Sequence, residues 1–464
     1  MNNPQRKGGN KMEIGESLSL AYCIPFACML LSIAVFPLVK AEWWEKNRPY
    51  MVALWSLLFL IPFAVKYGAG TAVNHLLEAV LGDYVSFIVL LFGLFCVAGN
   101  ICIKGELSGT PKLNALLLLI GSLLASWVGT TGASMLLIRP IIRANYWRKR
   151  KVQTMVFFIF LVSNIGGCLT PVGDPPLLMG FMRGVPFTWS FHLLPVFLIN
   201  LVLLLGLYLI LDTRAYKQDL ADGLNPNEGE KAEKADPLRI EGAHNFIFLV
   251  CIVGAVILSG VLGNVSPFDN GIKIEGEVVL SFATILEMAI ILVCALLSFK
   301  TTKKETRTAN NFSWGAIEEV AVLFIGIFIT MIPALLILKA KGASLGITEN
   351  WQMFWATGAL SSFLDNTPTY LVFFQTAQAL GLPTTATLAH VGIPQTMLLA
   401  ISCGAVFMGA NTYIGNAPNF MVKSIAEEND IKMPSFFGYM GWSLSCLIPV
   451  FLIDTLLFFS GLVF

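Results

Sequence analysis

Apolar runs about as long as a bilayer is thick constrain this chain more than any other feature. Candidate spans are 19–39, 51–66, 84–102, 152–170, 190–212, 245–264, 278–299, 315–338, 394–411 and 437–459. A helix needs about 20 apolar residues to cross the hydrocarbon core, and a barrel strand about 10. Runs of this length predict an all-α polytopic membrane protein. Composition agrees, with 56% hydrophobic and 13% charged residues, where an average soluble domain carries about 25% charge. So little charge cannot solvate a water-soluble body of 464 residues.

Two more apolar stretches break in the middle. Stretch 113–142 is interrupted at Gly129-Thr130-Thr131-Gly132, and stretch 351–376 at Asp365-Asn366-Thr367. Each reads as a re-entrant hairpin, two short helices meeting at a polar tip. Segments 152–184 and 394–428 read as broken helices. The first carries Ser163-Asn164-Ile165-Gly166-Gly167 and then Thr170-Pro171-Val172-Gly173-Asp174-Pro175-Pro176. The second carries Gly409-Ala410-Asn411-Thr412-Tyr413-Ile414-Gly415-Asn416-Ala417-Pro418-Asn419, with Gly173-Asp174 falling on Gly415-Asn416. Irregular backbone at membrane depth is tolerated only where protein buries it or a cavity hydrates it. Four such breaks predict a site.

The polar stretch 213–244, with Asn225-Pro226-Asn227-Glu228-Gly229-Glu230-Lys231, reads as a flexible linker between two halves. Residues 1–212 and 245–464 then share one order: three spans, a hairpin (113–142 and 351–376), a broken span (152–184 and 394–428) and a last span (190–212 and 437–459). An odd number of crossings per half predicts an inverted repeat. Charge sets the orientation. Placing the linker and loops 40–50, 103–112, 143–151, 300–312 and 420–435 in the cytoplasm puts 21 Lys and Arg there and 8 opposite. That orientation predicts a multi-pass protein of the inner (plasma) membrane with both termini outside. Arg148-Lys149-Arg150-Lys151 reads as a cytoplasmic topology anchor. Arg6, Lys7 and Lys11 before an apolar run imitate a signal peptide, but the run from Leu20 to Val39 is too long for one and reads as a retained span.

The breaks concentrate the chemistry. Gly and Pro end helices there, exposing carbonyls that coordinate cations and helix N-termini that favour anions. A carboxylate at bilayer depth costs about 2.5 kcal/mol or more, which makes it a functional candidate. Asp174 and Asp365 both lie at breaks, and Asp365 also reads as a helix cap. Neutral oxygens and donors come from Asn164, Thr170, Thr130, Thr131, Asn366, Thr367, Asn411, Thr412 and Asn416. Glu287 is a further intramembrane candidate, Glu318 and Glu319 read as snorkelling at a span end, and Asp454 as incidental. The nine cysteines lie mostly in apolar runs, without metal-ligand spacing. With no P-loop, G-x-S-x-G or H-E-x-x-H, the chain reads as neither an ATP-driven pump nor an enzyme, and no cofactor is expected. A net charge of +1 gives no field for nucleic acid.

At Ser163-Asn164-Ile165-Gly166-Gly167, Gly173-Asp174-Pro175-Pro176 and Phe363-Leu364-Asp365-Asn366 the chain resembles the ion transporter superfamily of arsenite permeases, sodium/proton antiporters and citrate or dicarboxylate carriers. Within it, the chain is most similar to a bacterial branch of sodium:proton antiporters and citrate transporters. The resemblance covers nearly the whole chain. It implies a carrier whose tips meet at the membrane midplane, working by alternating access, often as a homodimer. Antiporter branches carry an Asp-Asn pair at both tips. Here the first tip is Gly129-Thr130-Thr131-Gly132, closer to those of carboxylate carriers.

Two functions are therefore expected. The first is sodium/proton antiport, with sodium at Asp365 and Asp174 and protons competing for the same carboxylates. The alternative is sodium- or proton-coupled uptake of citrate or a related carboxylate, with Arg139 and Arg183 as the available anion partners. A channel or a membrane enzyme is a third class, opposed by the internal symmetry.

Overall fold

The computed structural model describes residues 13–105, 107–224, 239–263, 265–268, 270–275, 278–310 and 312–461. The basic residues Arg6, Lys7 and Lys11 and the middle of the expected linker, 225–238, lie outside them. Among the described residues, ten helical segments are long and apolar enough to cross a membrane.

The first half begins with α1 (Ile24–Val39) and α2 (Ala41–Tyr67). Helix α3 (Ala69–Leu77) runs through a π turn, Glu78–Tyr84, into α4 (Val85–Gly99). After strand β1 (Cys102–Lys104) come α5 (Pro111–Val128) and α6 (Thr130–Ala144). Helix α7 (Val152–Leu161), the turn Ile165–Leu169 and α8 (Pro175–Met182) form one interrupted segment, and α9 (Leu194–Ala221) ends the half. The second half opens with β2 (Arg239–Glu241) and α10 (Asn245–Leu262). The ribbon β3 (Gly271–Glu275) and β4 (Val278–Ser281) precedes α11 (Phe282–Thr301), the short α12 (Lys304–Ala309) and α13 (Gly315–Lys341). Then come α14 (Asn350–Ser361) and α15 (Asn366–Ala379), the interrupted pair α16 (Gln395–Met408) and α17 (Ala417–Glu428), and α18 (Phe436–Asp454). Besides the shared long helices, residues 245–464 carry the β3–β4 ribbon and α12, and residues 1–212 the π turn Glu78–Tyr84.

Local chemistry sets these boundaries. Gly129, at φ +80°, stops α5 in a conformation that a side chain would resist. Thr110 caps α5 and Pro111 opens it, while Pro175 opens α8 and Pro418 stands in the first turn of α17, where a missing N–H costs nothing.

The helices sort into two layers. Helices α1, α2, α4, α10, α11 and α13 pack on one another as a scaffold. The hairpins and interrupted helices form a core, in which α14 lies against α16 and α5 against α6. The halves interlock there: α15 of the second packs on α8 of the first, and α17 of the second on α6 of the first. The window Val152–Leu169 is 94% buried against 22% for Glu42–Tyr67, so α7 sits at the centre and α2 at the rim. Exposed Leu54, Leu57, Leu58, Ile61 and Val65 give α2 a lipid-facing surface.

Several sequence-based boundaries differ. The expected crossing 394–411 contains a helix of only 14 residues, α16, while the hairpin arm Pro111–Val128 is long and apolar enough to span. The expected loop 40–50 is helical from Ala41, where Trp44 stacks on Phe36 and Trp43 packs on it at a tilt, holding that turn against α1. The expected linker is structured at both ends. Helix α9 continues to Ala221, and β2 pairs antiparallel with β1, Lys104 opposite Arg239.

Within the basic run, Lys149 is exposed while two arginines make ion pairs. Arg148 is 2% exposed, with Nη2 at 2.8 Å from Asp212 Oδ1 and Nε at 3.4 Å from Asp219 Oδ2. Arg150 reaches Asp219 and Asp222 at 2.9 and 2.7 Å. Asn114 of α5, Asn145 after α6 and Gln153 of α7 join this network. It ties the base of the first hairpin to α9. The sequence hid it because the acids stand 64 and 71 residues after Arg148.

Candidate functional site

Four helix starts meet in the core. Thr130 is the first residue of α6, Asn366 the first of α15, Asp174 precedes α8 and Asn416 precedes α17. Asp174 and Asn416 hold the capping position, yet neither side chain caps its own helix. Both turn toward the shared centre.

Asp174, 1% exposed, is the hub. Thr130 Oγ1 donates to its Oδ1 at 3.0 Å, Asn366 Nδ2 to its Oδ2 at 2.7 Å, and Asn416 Nδ2 to its Oδ1 at 3.4 Å. The carboxylate therefore receives a donor from its own half's hairpin and one from each break of the other half. Each helix N-terminus adds about half a positive charge, directed at this shared centre.

Neighbouring amides and carbonyls hold these donors in place. Asn416 Nδ2 also bonds Asn164 Oδ1 and the Ser163 carbonyl, both at 3.2 Å. Asn164 Nδ2 donates to Asn419 Oδ1 at 2.7 Å, and Asn419 Nδ2 to the carbonyls of Gly409 and Thr412 at 2.9 Å. Ser134 and Ser163 share a 2.8 Å hydroxyl bond. The two halves repeat one fastening: Thr170 Oγ1 donates to the Ser126 carbonyl, and Thr412 Oγ1 to the Ser362 carbonyl. Each bond clips a broken helix to the hairpin of its own half. Close packing supports it, since a Cβ on Gly173 would lie 2.2 Å from the Gly167 carbonyl oxygen and 2.8 Å from Ser126 Cα.

Asp365 does two things. Its Oδ1 accepts from the Thr367 N–H at 3.0 Å, capping α15. It also lines a cavity of about 450 Å³ between core and scaffold. Gly129, Thr130, Thr131, Gly173 and Asn416 line the same space. From the tips the cavity runs past Leu94 and Phe95 of α4 to Ile317 and Glu319 at the start of α13. Glu319, read from sequence as snorkelling, faces this cavity and pairs with Arg48 of α2 at 3.3 Å. No Lys, Arg or His lines it among the described residues. Away from the cavity, Arg183 at the end of α8 bonds Asp83 of the π turn at 3.1 Å, joining core to scaffold.

Among the sequence candidates, the structure gathers Asp174, Thr130, Asn366, Asn416 and Asn164 by direct hydrogen bonds, and adds Asp365 and Thr131 around the cavity. Thr367 serves the tip by closing the Asp365 turn. Thr170 and Thr412 donate to hairpin carbonyls and lie outside the cavity lining. Asn411 donates to Ser362 Oγ at 2.9 Å and does not bond Asp174. Arg139 lies outside the cavity lining, and Glu287 sits in scaffold helix α11. Asn419 and Glu319 are the omissions. Asn419 stood three residues after Asn416 in the same broken string, so its spacing on α17 was a usable signal. The Arg48–Glu319 pairing has no sequence signal.

The donor set is hard: carboxylate, amide and hydroxyl oxygens, which suit alkali or alkaline-earth cations rather than softer metals. Among the described residues no three His, Cys, Asp or Glu side chains come together as a metal centre.

Comparison with known proteins gives the same direction. Two proteins described as uncharacterized transporters, from Mycobacterium bovis and Mycobacterium tuberculosis, are each 25% identical over 339 residues, covering 68% of this chain and 70% of theirs. A family model described as "Putative citrate transport" matches residues 15–459. With its membrane-spanning helices and tip-built core, the chain is a multi-pass transporter that belongs to this citrate transport family.

Proposed function

We propose that the protein is a secondary carrier that moves a citrate-like carboxylate together with a cation by alternating access between core and scaffold. One observation carries this reading: the Asp365 carboxylate stands at the tip end of the cavity, and among the described residues no Lys, Arg or His lines that space, Arg48 pairing Glu319 from outside the lining. Two like charges 4 Å apart repel by about 4 kcal/mol at an effective dielectric of 20. A polycarboxylate entering here must bring positive charge with it. A cavity of about 450 Å³ falls within the size range of small-molecule pockets, about 300–1,000 Å³. A bare ion needs far less room.

In this reading the cation sits among Asp174, Asp365 and the neutral oxygens of Thr130, Asn366 and Asn416. The carboxylate fills the remaining volume against the helix N-termini, which favour anions. The halves, 1–212 and 245–464, form an inverted repeat joined by the segment 213–244 on the cytoplasmic side, so the cavity opens to the cytoplasm. The protein is expected in the plasma membrane, with both ends outside.

Cation/proton exchange is the second reading. The same acidic cavity favours it, since it suits a cation with no partner. Ligand-induced stabilisation separates the two. A ligand at 100 times its Kd stabilises by about 2.7 kcal/mol. Carboxylate uptake predicts that citrate raises the Tm of purified protein, and more so with sodium present. Stabilisation by sodium alone, with citrate inert, would move the assignment to exchange.

A further inference from the structure

We propose that Asp454 is a proton-binding site of this carrier, buried between α9 and α18 and separate from the cation site at the tips. The proposal rests on the transport reading for its role, but its geometry stands alone. Asp454 is 0% exposed near the end of α18. Its partner is Asn200 of α9, itself 0% exposed, whose Nδ2 lies 2.9 and 2.8 Å from the two carboxyl oxygens. That same nitrogen donates to the Val196 carbonyl at 2.9 Å. An amide nitrogen has two hydrogens, so three acceptors share them. Asp454 thus receives about one hydrogen bond and no positive charge.

Two other buried carboxyls of the protein make the contrast. Asp174 has three side-chain donors and four helix starts around it. Asp212, 0% exposed like Asp454, has the Arg148 guanidinium at 2.8 Å and Gln153 Nε2 at 2.8 Å. Each has more donors than Asp454, and Asp212 has a cation beside it. A carboxylate with one shared donor and no cation cannot stay ionised in the membrane interior, where an unpaired buried charge neutralises instead. Asp454 therefore carries a proton while α9 and α18 enclose it.

The elements packed on it offer no other charge among the described residues. Helix α16 presents the Cys403 thiol. Helix α14, which reaches the end of α18 through Trp355 and Thr455, contains no titratable residue, and neither does the turn Gly409–Asn411. The site joins the last helix of each half, α9 and α18. Movement that parts them would expose the carboxyl to water, where it gives up its proton and becomes a carboxylate. Cation and proton then occupy different acids, so they need not displace each other.

The test is infrared spectroscopy of purified protein in H2O and D2O, comparing wild type with Asp454→Asn and Asn200→Ala. The expected result is a protonated carboxylic-acid band at neutral pH that is lost in Asp454→Asn and persists to higher pH in Asn200→Ala, where the last donor is gone. In proteoliposomes, Asp454→Asn should abolish acceleration by a proton gradient, while citrate counterflow remains detectable. An Asp454→Asn spectrum that keeps the full band would overturn the proposal, as would an Asn200→Ala spectrum without it or an unaltered response to the proton gradient. A wild type that moves no citrate would count against carboxylate transport instead, leaving the infrared comparison to decide Asp454.

Discussion

Asn366 and Asp174, 192 residues apart, are joined by a 2.7 Å hydrogen bond from Nδ2 to Oδ2. The bond links the hairpin of the second half to the broken helix of the first. With Thr130 and Asn416 it makes Asp174 the point where all four breaks meet. A movement that separates the two hairpins must pull at this carboxylate.

Asn366→Ala removes the shortest of the three donors to a buried carboxylate. A hydrogen bond to a charged group contributes about 1.5–3 kcal/mol. The account predicts a loss of cation affinity of roughly 10- to 100-fold, read as the sodium concentration giving half-maximal transport. Asn416→Ala, whose bond is longer at 3.4 Å, should lose less.

Asp365 separates charge from capping. Asn and Asp are about equal as N-caps, while Ala costs about 1 kcal/mol. Asp365→Asn should therefore keep a Tm close to wild type and lose sodium dependence. Asp365→Ala should lose both. Thermal unfolding in detergent beside a flux assay checks the pair, and loss of folding in Asp365→Asn would contradict this division.

Arg148 is predicted to matter for stability rather than transport chemistry. Replacing it with Met leaves Asp212 and Asp219 buried beside a missing cation, which costs about 3–5 kcal/mol. Arg148→Met should lower the Tm sharply. Replacing Asp212 with Leu in the same chain should restore part of it, which a double-mutant cycle measures.

The Arg183–Asp83 pair bridges the two layers and must break if the core slides on the scaffold. Its side chains are 21% and 27% exposed, so its worth is that of a half-exposed pair, about 0.2–1 kcal/mol. Asp83→Asn should change stability little and shift the balance of states by a few-fold. Accessibility of a cysteine placed near Gly129 to a membrane-impermeant thiol reagent, from each side in turn, reports that shift.

Much of this was legible in the sequence because the membrane enforces it. Apolar length gave the spans, and Gly-Pro strings in apolar surroundings marked the breaks at Gly129, Asp174, Asp365 and Asn416. Partners distant in sequence were not legible. Nothing in the run Arg148–Lys151 reveals Asp212 and Asp219 as its partners. Thr170 and Thr412 read as site oxygens because hydroxyl chemistry does not say whether the group faces an ion or a neighbouring carbonyl. Asp454 was passed over for a similar reason, since its isolation becomes visible only once Asn200 is seen to be its partner.

The central claim is that the tips bind a cation that travels with a carboxylate. Uptake of radiolabelled citrate into proteoliposomes of purified protein, with and without an inward sodium gradient, tests it most directly. The account predicts citrate accumulation that rises with the sodium gradient and disappears in Asp365→Asn. Sodium entry that expels protons while citrate stays outside under every gradient would contradict it, and would make the protein a cation/proton exchanger.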